Sequence, residues 1–355
     1  MRFKVNKKYI GDGCETYFIA DIAANHDGNL DKARELVKLC AEAGANAAKF
    51  QHFKAKTIVS DYAFNNLVKS ESHQTKWKKS VFKTYEEASI GIEWCIKLKE
   101  TCDECDIDFF TSPYDLDYVD KVEKYVRAYK IGSGDITWLE ILKKISKKKL
   151  PVILATGAAT LNEVKLAVKT ILKQNKKIVL MQCNTNYTNS KSNLKFINLN
   201  VLKIYKKKFP KAILGLSDHT QGHATVLGAI TLGARVIEKH YTLNNNLNGP
   251  DHAFSMNYDS WRDMILYSRD LEESLGKSKK KIEKNEIETV ILQRRSIRLN
   301  ENVKKGSILK KSNLICLRPC PNDAIQPYDL KKVIGKKINK DLSKHDYLKW
   351  KDLKK

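Results

Sequence analysis

From residue 17 to residue 275, short apolar runs alternate with longer segments whose apolar positions recur about every 3.6 residues, as in amphipathic helices. The short runs are Tyr17–Ala23, Ala47–Phe53, Ile107–Thr111, Ala128–Ile131, Val152–Thr156, Ile178–Cys183, Ile213–Leu216 and Arg235–His240. The helical patterns are Leu30–Ala43, Ile90–Cys105, Leu116–Val126, Leu139–Ile145, Asn162–Leu172, Leu199–Phe209, His223–Leu232 and Ser260–Leu275. Eight strand signals, each followed by a helix signal, indicate parallel β/α units. Eight such units favour closure into a (β/α)8 TIM barrel over an open sheet.

One connection in this predicted barrel is unusually long. Lys54–Glu86 follows the second strand signal, whereas most connections in compact domains are short. The segment contains Trp77, Phe82 and Tyr85, which is unusual for a disordered linker. We interpret it as an active-site loop.

The pattern changes at about Gly276. Lys277–Glu288 is charged and poor in apolar residues, which is typical of a linker. The chain beyond it has short strand-like runs, a turn at Lys304–Gly306 and prolines at positions 319, 321 and 327. We therefore predict a barrel domain at 1–276, a linker at 277–289 and a small second domain at 290–355. The core of that domain is barely large enough to stand alone.

The composition supports a folded protein and argues against a membrane protein. The chain is 42% hydrophobic and 30% charged, which supplies enough apolar material for a sizeable core. No stretch approaches about 18 consecutive apolar residues, and Met1–Ile10 lacks the hydrophobic run of a signal peptide. The eight cysteines are scattered, and the pair Cys102 and Cys105 has no second pair to complete a zinc site. We expect a soluble, cytoplasmic protein with reduced thiols and no membrane partner.

The formal net charge of +24 raises the question of nucleic-acid binding. Only 10 of the 65 basic residues are arginine, whereas nucleic-acid binders favour arginine for bidentate contacts. The lysines fall at solvent-facing helix positions and are accompanied by many asparagines. We therefore expect no nucleic-acid partner, and we interpret the positive field as attraction for an anionic substrate.

Every predicted strand delivers ionisable or hydrogen-bonding groups at or just after its carboxyl end. A parallel barrel builds its active site at this end, from the loops that follow the strands. Random loop polarity would scatter such groups over both faces, so the pattern indicates an enzyme. The groups are Asp21, Asn25, His26, Lys49, Gln51, Thr111, Ser112, Lys130, Ser133, Asp135, Thr156, Gln182, Asn184, Tyr187, Ser217, Asp218, His219, Glu238, Lys239 and His240.

Two lysines lie inside apolar strand runs. Lys49 is within Ala47–Phe53 and Lys130 is within Ala128–Ile131, where a buried ammonium group is costly without a partner. A single lysine of this kind can be salt-bridged or can extend its ammonium group to solvent. Two at one end of a barrel suggest an anionic ligand such as a phosphate or a carboxylate.

Two histidines follow adjacent strands at matching depths. His219 and His240 suggest two imidazole ligands of a divalent metal, although either alone could be an ordinary core histidine. His252 could contribute to the same site or could simply lie on a loop. Its neighbour Asp251 is better placed to bind a hydroxylated substrate.

Several stretches, taken in order, carry a family resemblance. They are Ile19–Gly28 (IADIAANHDG), Lys49–Gln51 (KFQ), Phe110–Pro113 (FTSP), Tyr129–Asp135 (YKIGSGD), Gly215–Thr220 (GLSDHT), Glu238–Tyr241 (EKHY) and Gly249–Asp251 (GPD). They resemble the sialic acid synthase (N-acetylneuraminate synthase) family over nearly the whole chain. The tail, with Val303–Gly306 and Leu317–Pro319, is similar to the C-terminal antifreeze-like (SAF) domain of that family.

The resemblance implies an activity and its ligands. Members condense phosphoenolpyruvate with an N-acylhexosamine, such as N-acetylmannosamine or a 2,4-diacetamido-6-deoxyhexose, to make nine-carbon 2-keto-3-deoxy acids. It assigns His219 and His240 to a divalent metal, Mn²⁺ or Mg²⁺. It also assigns Arg318 to a position that one subunit inserts into the barrel of its partner, which implies a domain-swapped homodimer.

The remaining candidate residues come from the strand-end pattern and from the resemblance. Asp21 is the candidate for orienting a sugar hydroxyl or moving its proton, and Thr156 and Asn184 join the substrate-binding candidates as polar residues at strand ends. The positions that match phosphoenolpyruvate contacts are Lys49, Lys130, Thr111, Ser133 and Ser217. The positions that match sugar contacts are Gln51, Tyr187, Asp251 and Asp135.

Three positions depart from the family pattern. Asp21 stands where the family has glutamate, Ala155-Thr156-Gly157 replaces Ser-Thr-Gly, and Arg318-Pro319-Cys320 replaces Arg-Pro-Gly. Each bears more on the identity of the sugar than on the reaction.

Two alternative functions predict different sequence features. A non-catalytic carbohydrate-binding barrel would have lost the two lysines or the two histidines, and all four are present. A related phosphoenolpyruvate-dependent keto-deoxy sugar acid synthase is the nearest catalytic alternative, and the SAF-like tail separates this chain from it.

Overall fold

The computed structural model describes residues 1–66, 74 and 77–354. The chain divides into two compact units, Met1–Gly276 and Lys277–Lys355. Among the described residues, no helix combines the length and the apolar character needed to cross a membrane.

The first unit is a closed barrel of eight parallel strands, preceded by an antiparallel hairpin of β1 (Arg2–Val5) and β2 (Lys8–Gly11). The last barrel strand pairs with the first, with His240 opposite Asp21, so the sheet closes on itself. The predicted TIM barrel and its eight strands are confirmed. The barrel strands are β3 (Tyr17–Asp21), β4 (Ala47–His52), β5 (Asp108–Pro113), β6 (Tyr129–Ile131), β7 (Val152–Ala155), β8 (Ile178–Cys183), β9 (Ile213–Asp218) and β10 (Val236–His240).

Helices pack around the outside of the barrel. Their amphipathic patterns direct one face inward, as in the helix Leu139–Lys147, where Ile141, Leu142 and Ile145 are buried. Local signals fix their ends: Thr160 and Glu163 form a capping box at the start of the helix Leu161–Leu172. The helices are α1 (Leu30–Glu42), α2 (Ala55–Ile58), α3 (Asp61–Asn66), α4 (Val81–Ala88), α5 (Ile92–Glu104), α6 (Leu116–Val122), α7 (Leu139–Lys147), α8 (Leu161–Leu172), α9 (Val201–Lys208), α10 (Ala224–Thr231) and α11 (Tyr258–Leu275).

The strands separate two apolar layers because successive side chains point to opposite faces. Phe18 and Ala20 pack outward in the layer shared with the helices, whereas Tyr17 and Ile19 pack inside the barrel. The hairpin β1–β2 adds apolar side chains, including Phe3, to the inner layer and closes the amino-terminal end of the barrel. The carboxyl end is left to polar side chains.

The second unit has its own small core. Helix α12 (Ile287–Gln293) precedes β11 (Ser296–Leu299) and β12 (Leu314–Leu317), which pair antiparallel, and α13 (Leu330–Val333) follows. Helix α12 begins inside the segment predicted as a linker. The apolar residues that form it follow Glu286, directly after the charged run. The core side chains are Ile297, Leu299, Val303, Leu309, Ile325, Val333, Ile338, Leu342 and Leu348.

Candidate active site

The carboxyl ends of the barrel strands surround an open cavity of about 830 Å³. Strand alternation explains its lining: Lys49 faces inward with Ala47, and Lys130 faces inward with Ala128. The sequence-predicted residues that line this cavity are Asp21, Lys49, Gln51, Lys130, Ser133, Tyr187, Ser217, His219, His240 and Asp251.

Four buried ionisable side chains form a charge cluster at the floor of the cavity, made of Asp21, Lys49, Lys130 and Glu238. The ammonium group of Lys49 lies 2.6 Å from Oδ2 of Asp21 and 3.7 Å from Oε2 of Glu238. The ammonium group of Lys130 lies 3.1 Å from Oε1 of Glu238, which also accepts a hydrogen bond of 3.0 Å from Ser217. Glu238 therefore joins the two lysines that the sequence singled out.

Two opposing effects set the pKa values in the cluster: burial disfavours the charged form of each side chain, and a neighbouring opposite charge favours it. Burial alone would raise the pKa of Glu238, but Lys130 and Lys49 outweigh it and lower that pKa to about 2. Burial would lower the pKa of Lys49, yet Asp21 and Glu238 raise it. The pKa of Asp21 is raised, because burial exceeds the effect of Lys49. Lys49 and Glu238 are therefore charged at neutral pH despite their burial.

The two histidines form a second feature, the imidazole pair, with ring centroids 5.2 Å apart. Nδ1 of His219 donates to the backbone carbonyl of Asn184 at 2.9 Å, which leaves the lone pair on Nε2. Nδ1 of His240 is buried and has no hydrogen-bond partner among the described residues. Burial lowers the pKa of both rings to about 3, assisted at His219 by His240 and at His240 by Lys49. Both imidazoles are thus neutral, the form that binds metals.

The imidazole pair fits a metal site that is only partly made of protein. An unpartnered buried ring nitrogen on His240 and a free lone pair on His219 are suitable donors. Within residues 1–66, 74 and 77–354, no group of three or more His, Cys, Asp or Glu side chains is placed to hold a metal ion. A metal here would therefore have positions open to substrate or water.

Asp251 and Tyr187 border the imidazole pair. Oδ2 of Asp251 accepts from the backbone N–H of Ala24 at 3.2 Å and lies 4.0 Å from Nδ1 of His240. Burial raises the pKa of Asp251 to about 7. The ring of Tyr187 meets the ring of His219 edge to face, with centroids 4.3 Å apart.

His252 is placed as a structural residue. Its Nδ1 lies 2.6 Å from Oγ1 of Thr242, and its Nε2 lies 3.2 Å from Oδ1 of Asp27. Both ring nitrogens therefore have partners within the protein. This geometry favours a residue that simply lies on a loop over a residue that contributes to the metal site. Through Asp27, His252 ties the loop that carries Asp251 to the loop after β3.

Two predicted substrate-binding threonines do not line the cavity. Thr111 points outward, where its hydroxyl donates to the carbonyl of Phe50 at 3.1 Å and lies 2.7 Å from Nδ1 of His52. Thr156 also points outward, and its hydroxyl donates to the carbonyl of Met181 at 2.8 Å. The strand pleat turns each hydroxyl away from the barrel interior, so neither threonine is placed to contact a ligand in the cavity directly.

Asn184 and Asp135 lie near the cavity without lining it. Asn184 contributes through its backbone carbonyl, which holds His219, while its side chain donates to the carbonyl of Phe196 at 3.3 Å. Asp135 lies on a short turn after β6, and burial raises its pKa to about 6. Ala155, where the family pattern has serine, does line the cavity. A serine hydroxyl at this position would therefore face the site, and this chain lacks it.

The cavity also has an aromatic wall, defined as Phe53, Trp77, Tyr85 and Tyr114. Of these, Trp77 and Tyr85 are part of the active-site loop that the sequence predicts. Tyr85 is on α4, and its ring centroid lies 5.2 Å from that of Phe53 and 6.2 Å from that of Trp77. The predicted active-site loop at 54–86 therefore does reach the cavity, through Trp77 and Tyr85. Its residues 67–73 and 75–76 lie outside the described part of the chain.

Glu238 and Cys183 also line the cavity. The sequence placed Glu238 among the polar groups at the strand ends but gave it no role, and Cys183 was not among those groups. Glu238 is two residues before His240 on the same strand, so it shares the inward face. Cys183 ends β8 on the inward face in the same way. Period-two spacing from an assigned residue was the signal that could have found Glu238.

The sequence profile of the NeuB family matches residues 36–280. The chain belongs to the NeuB family. The profile of the SAF domain matches residues 294–354, within the second unit. The predicted family resemblance and the predicted C-terminal SAF domain are thus confirmed.

Several NeuB-family relatives align over most of this chain. The N,N'-diacetyllegionaminic acid synthase of Legionella pneumophila is 34% identical over 96% of this chain and 95% of its own length. The pseudaminic acid synthase of Campylobacter jejuni is 29% identical over 96% of this chain and 97% of its own length. The crystal structure of an N-acetylneuraminic acid synthetase from Leptospira borgpetersenii superposes with a TM-score of 0.71 at 26% identity, over 82% of this chain and 95% of that one. These relatives are synthases of sugar acids, which supports an enzyme of that kind here.

Proposed function

We propose that this NeuB-family protein condenses phosphoenolpyruvate with an open-chain N-acylhexosamine and water, and releases phosphate and a nine-carbon 2-keto-3-deoxy acid. The observation that carries the proposal is the charge cluster, in which Lys49 and Lys130 meet at Glu238 beside the imidazole pair. The relatives named as legionaminic and pseudaminic acid synthases support it.

The two lysines suit an anionic enol ester. Phosphoenolpyruvate carries a carboxylate and a phosphate, and each requires a cation in a poorly hydrated site. Lys49 and Lys130 have side chains only 3% exposed, so their attraction for an anion is weakly screened. Asp21 and Glu238 keep both ammonium groups in place before the anion arrives.

The reaction forms one carbon–carbon bond and one carbon–oxygen bond, and it breaks the carbon–oxygen bond to the phosphate. C3 of phosphoenolpyruvate bonds to the aldehyde carbon of the sugar, and the aldehyde oxygen takes up a proton. Water then adds its oxygen to C2 and loses one proton, which balances the proton taken up by the aldehyde oxygen. The new hydroxyl at C2 becomes the keto group as the bond from C2 to the phosphate oxygen breaks, and its proton leaves with the phosphate. Lys49 and Lys130 would hold the phosphate and the carboxylate and stabilise the charge of the departing phosphate. Gln51, Tyr187 and Asp251 would orient the sugar, with Asp21 accepting from one of its hydroxyl groups.

A divalent metal on His219 and His240 is part of the proposal. When bound, it would supply Lewis-acid polarisation of the aldehyde oxygen. Imidazole nitrogen favours a transition metal such as Mn²⁺ over Mg²⁺, which prefers oxygen ligands. The chain holds the pair ready by keeping both rings neutral and by fixing His219 through Asn184.

Arg318 is proposed to complete the site from the SAF domain of a second subunit. It follows β12 and is exposed, so its guanidinium group is available to another chain. Among the described residues that line the cavity, none is arginine. A guanidinium group from the partner would add a planar, permanently charged donor for a carboxylate or a sugar.

The test is a panel of sugars assayed for phosphate release from phosphoenolpyruvate, with and without EDTA. The panel contains N-acetylmannosamine, the 2,4-diacetamido-6-deoxyhexoses and N-acetylmannosamine 6-phosphate. We expect one sugar to support release that EDTA abolishes and Mn²⁺ restores. Binding of a sugar with no turnover under any metal condition would instead favour the non-catalytic carbohydrate-binding alternative.

A further inference from the structure

A buried ion pair lies directly behind the imidazole pair. The ammonium group of Lys239 is 2.5 Å from Oδ2 of Asp218, and both side chains are only 1% exposed. Asp218 immediately precedes His219 and Lys239 immediately precedes His240, so the ion pair and the imidazole pair occupy opposite faces of β9 and β10.

Lys239 holds the chain on both sides of His219. Its ammonium group contacts the carboxylate of Asp218 and also donates to the backbone carbonyl of Thr220 at 2.5 Å. Asp218 in turn accepts from the hydroxyls of Thr220 at 2.8 Å and Thr225 at 2.7 Å. Residues 218–220 are thereby fixed to β10 by side-chain bonds.

The backbone makes these bonds necessary. The paired register between β9 and β10 ends with Asp218 opposite Lys239, so His219 lies beyond the strand ladder. The placement of its ring relative to His240 then depends on what holds Asp218 and Thr220.

Stability alone does not account for this pair. Replacing a buried ion pair by apolar side chains of similar volume is often neutral or stabilising, because two charges need not be dehydrated. Partners behind metal ligands, in contrast, commonly control metal affinity. We propose that the Asp218–Lys239 pair positions His219 against His240 and so sets the affinity of the imidazole pair for a divalent metal. This inference rests on the proposed function, in which the two histidines bind that metal.

The test compares Mn²⁺ affinity with fold stability in the full-length chain. The variant Asp218→Asn/Lys239→Met removes both charges and keeps an oxygen for the two threonine hydroxyls. Isothermal titration with Mn²⁺ should show affinity about 10- to 100-fold weaker than wild type. Thermal unfolding in EDTA measures stability separately.

A matched control lies at the other end of the barrel. Tyr17 donates a 2.5 Å hydrogen bond to the buried carboxylate of Asp108, far from the imidazole pair. Tyr17→Phe/Asp108→Asn should bind Mn²⁺ with wild-type affinity, whatever its stability. If it weakens Mn²⁺ binding as much as the Asp218/Lys239 variant does, the effect is a general consequence of destabilisation and the inference is overturned.

The remaining outcomes separate this inference from the proposed function. Wild-type affinity in a folded Asp218→Asn/Lys239→Met protein overturns the positioning role. Should that variant fail to fold, Thr225→Val replaces it, because it removes one hydrogen bond to Asp218. Thr225→Val should weaken Mn²⁺ binding several-fold, and unchanged affinity would overturn the positioning role. If His219→Ala binds Mn²⁺ as wild type does, the metal site itself is wrong and the inference fails with it.

Discussion

Glu238 lies 3.1 Å from Lys130 at the floor of the barrel cavity, and neither side chain is more than 4% exposed. The same carboxylate is 3.7 Å from Lys49, so one glutamate stands between two buried ammonium groups. Such an arrangement keeps two like charges close together without a bound anion. An incoming dianion then meets two cations that are already in place, which lowers the cost of organising the site.

Removing the glutamate should make the fold depend on the substrate. Glu238→Gln leaves Lys130 without its buried counter-charge, and breaking a buried pair in this way costs about 3–5 kcal/mol. Phosphoenolpyruvate would supply the missing negative charge. We therefore expect a lower unfolding temperature than wild type and a larger increase in it when phosphoenolpyruvate is added.

The control for this thermal-shift measurement is Glu123→Gln, at a half-exposed pair with Lys148. Surface pairs contribute about 0–1 kcal/mol, so it should behave as wild type with and without phosphoenolpyruvate. An equal phosphoenolpyruvate-induced increase in Glu238→Gln and wild type would contradict the proposed role of the cluster.

Each of the two buried lysines should be needed for phosphoenolpyruvate. Lys49→Ala and Lys130→Ala remove one cation from a dehydrated anion site, and truncating one partner of such a pair costs about 2–5 kcal/mol. We expect KM for phosphoenolpyruvate to rise at least about tenfold, since about 1.4 kcal/mol corresponds to a factor of ten. Circular dichroism should show the barrel intact. A variant with wild-type kinetics would make that lysine structural.

Thr111 and Thr156 should not contribute to substrate binding. Their hydroxyls are satisfied on the outer face of the barrel by the carbonyls of Phe50 and Met181. Thr111→Val and Thr156→Val should lower stability and leave KM for phosphoenolpyruvate unchanged. Ser217 also carries a hydroxyl but faces the cavity, so Ser217→Ala should raise KM for phosphoenolpyruvate. A raised KM in the threonine variants at normal stability would restore the assignment made from the sequence.

The SAF domain should act on the barrel of a second subunit. Arg318→Ala and His219→Ala should each abolish activity, and mixing the two proteins should restore part of it, because some dimers combine an intact barrel with an intact arginine. Activity of the mixtures, measured against the mixing ratio, is the readout. The activity of Arg318→Lys shows whether any positive charge suffices at this position. A monomer in solution, or no restoration after shown subunit exchange, would exclude action in trans.

The fold followed from sequence pattern because the barrel repeats one unit. Alternating apolar runs and amphipathic segments located every barrel strand, and a lysine inside an apolar run marked the charge cluster at Lys49 and Lys130. The hairpin β1–β2 was not predicted because its strands are only four residues long. Their apolar side chains are buried by the barrel end that the hairpin covers.

The site was less predictable at the level of single side chains. A one-residue step along a strand moves a side chain to the other face, so the position of Thr111 and Thr156 near the strand ends did not reveal that their hydroxyls point away from the cavity. Glu238 was recognised as a polar group at a strand end, but its role was not predicted because that role depends on Lys49 and Lys130, which come from strands far away in sequence. The bonds that occupy His252 likewise join loops that only the fold brings together.

The most direct test of the proposed condensation follows an oxygen atom. Phosphoenolpyruvate labelled with ¹⁸O at the oxygen between C2 and phosphorus is incubated with the accepted sugar, and both products are analysed by mass spectrometry. If water adds at C2 and the carbon–oxygen bond breaks, all of the label appears in phosphate, and only when the sugar is present. Label retained in the organic product, or labelled phosphate released without the sugar, would contradict the account.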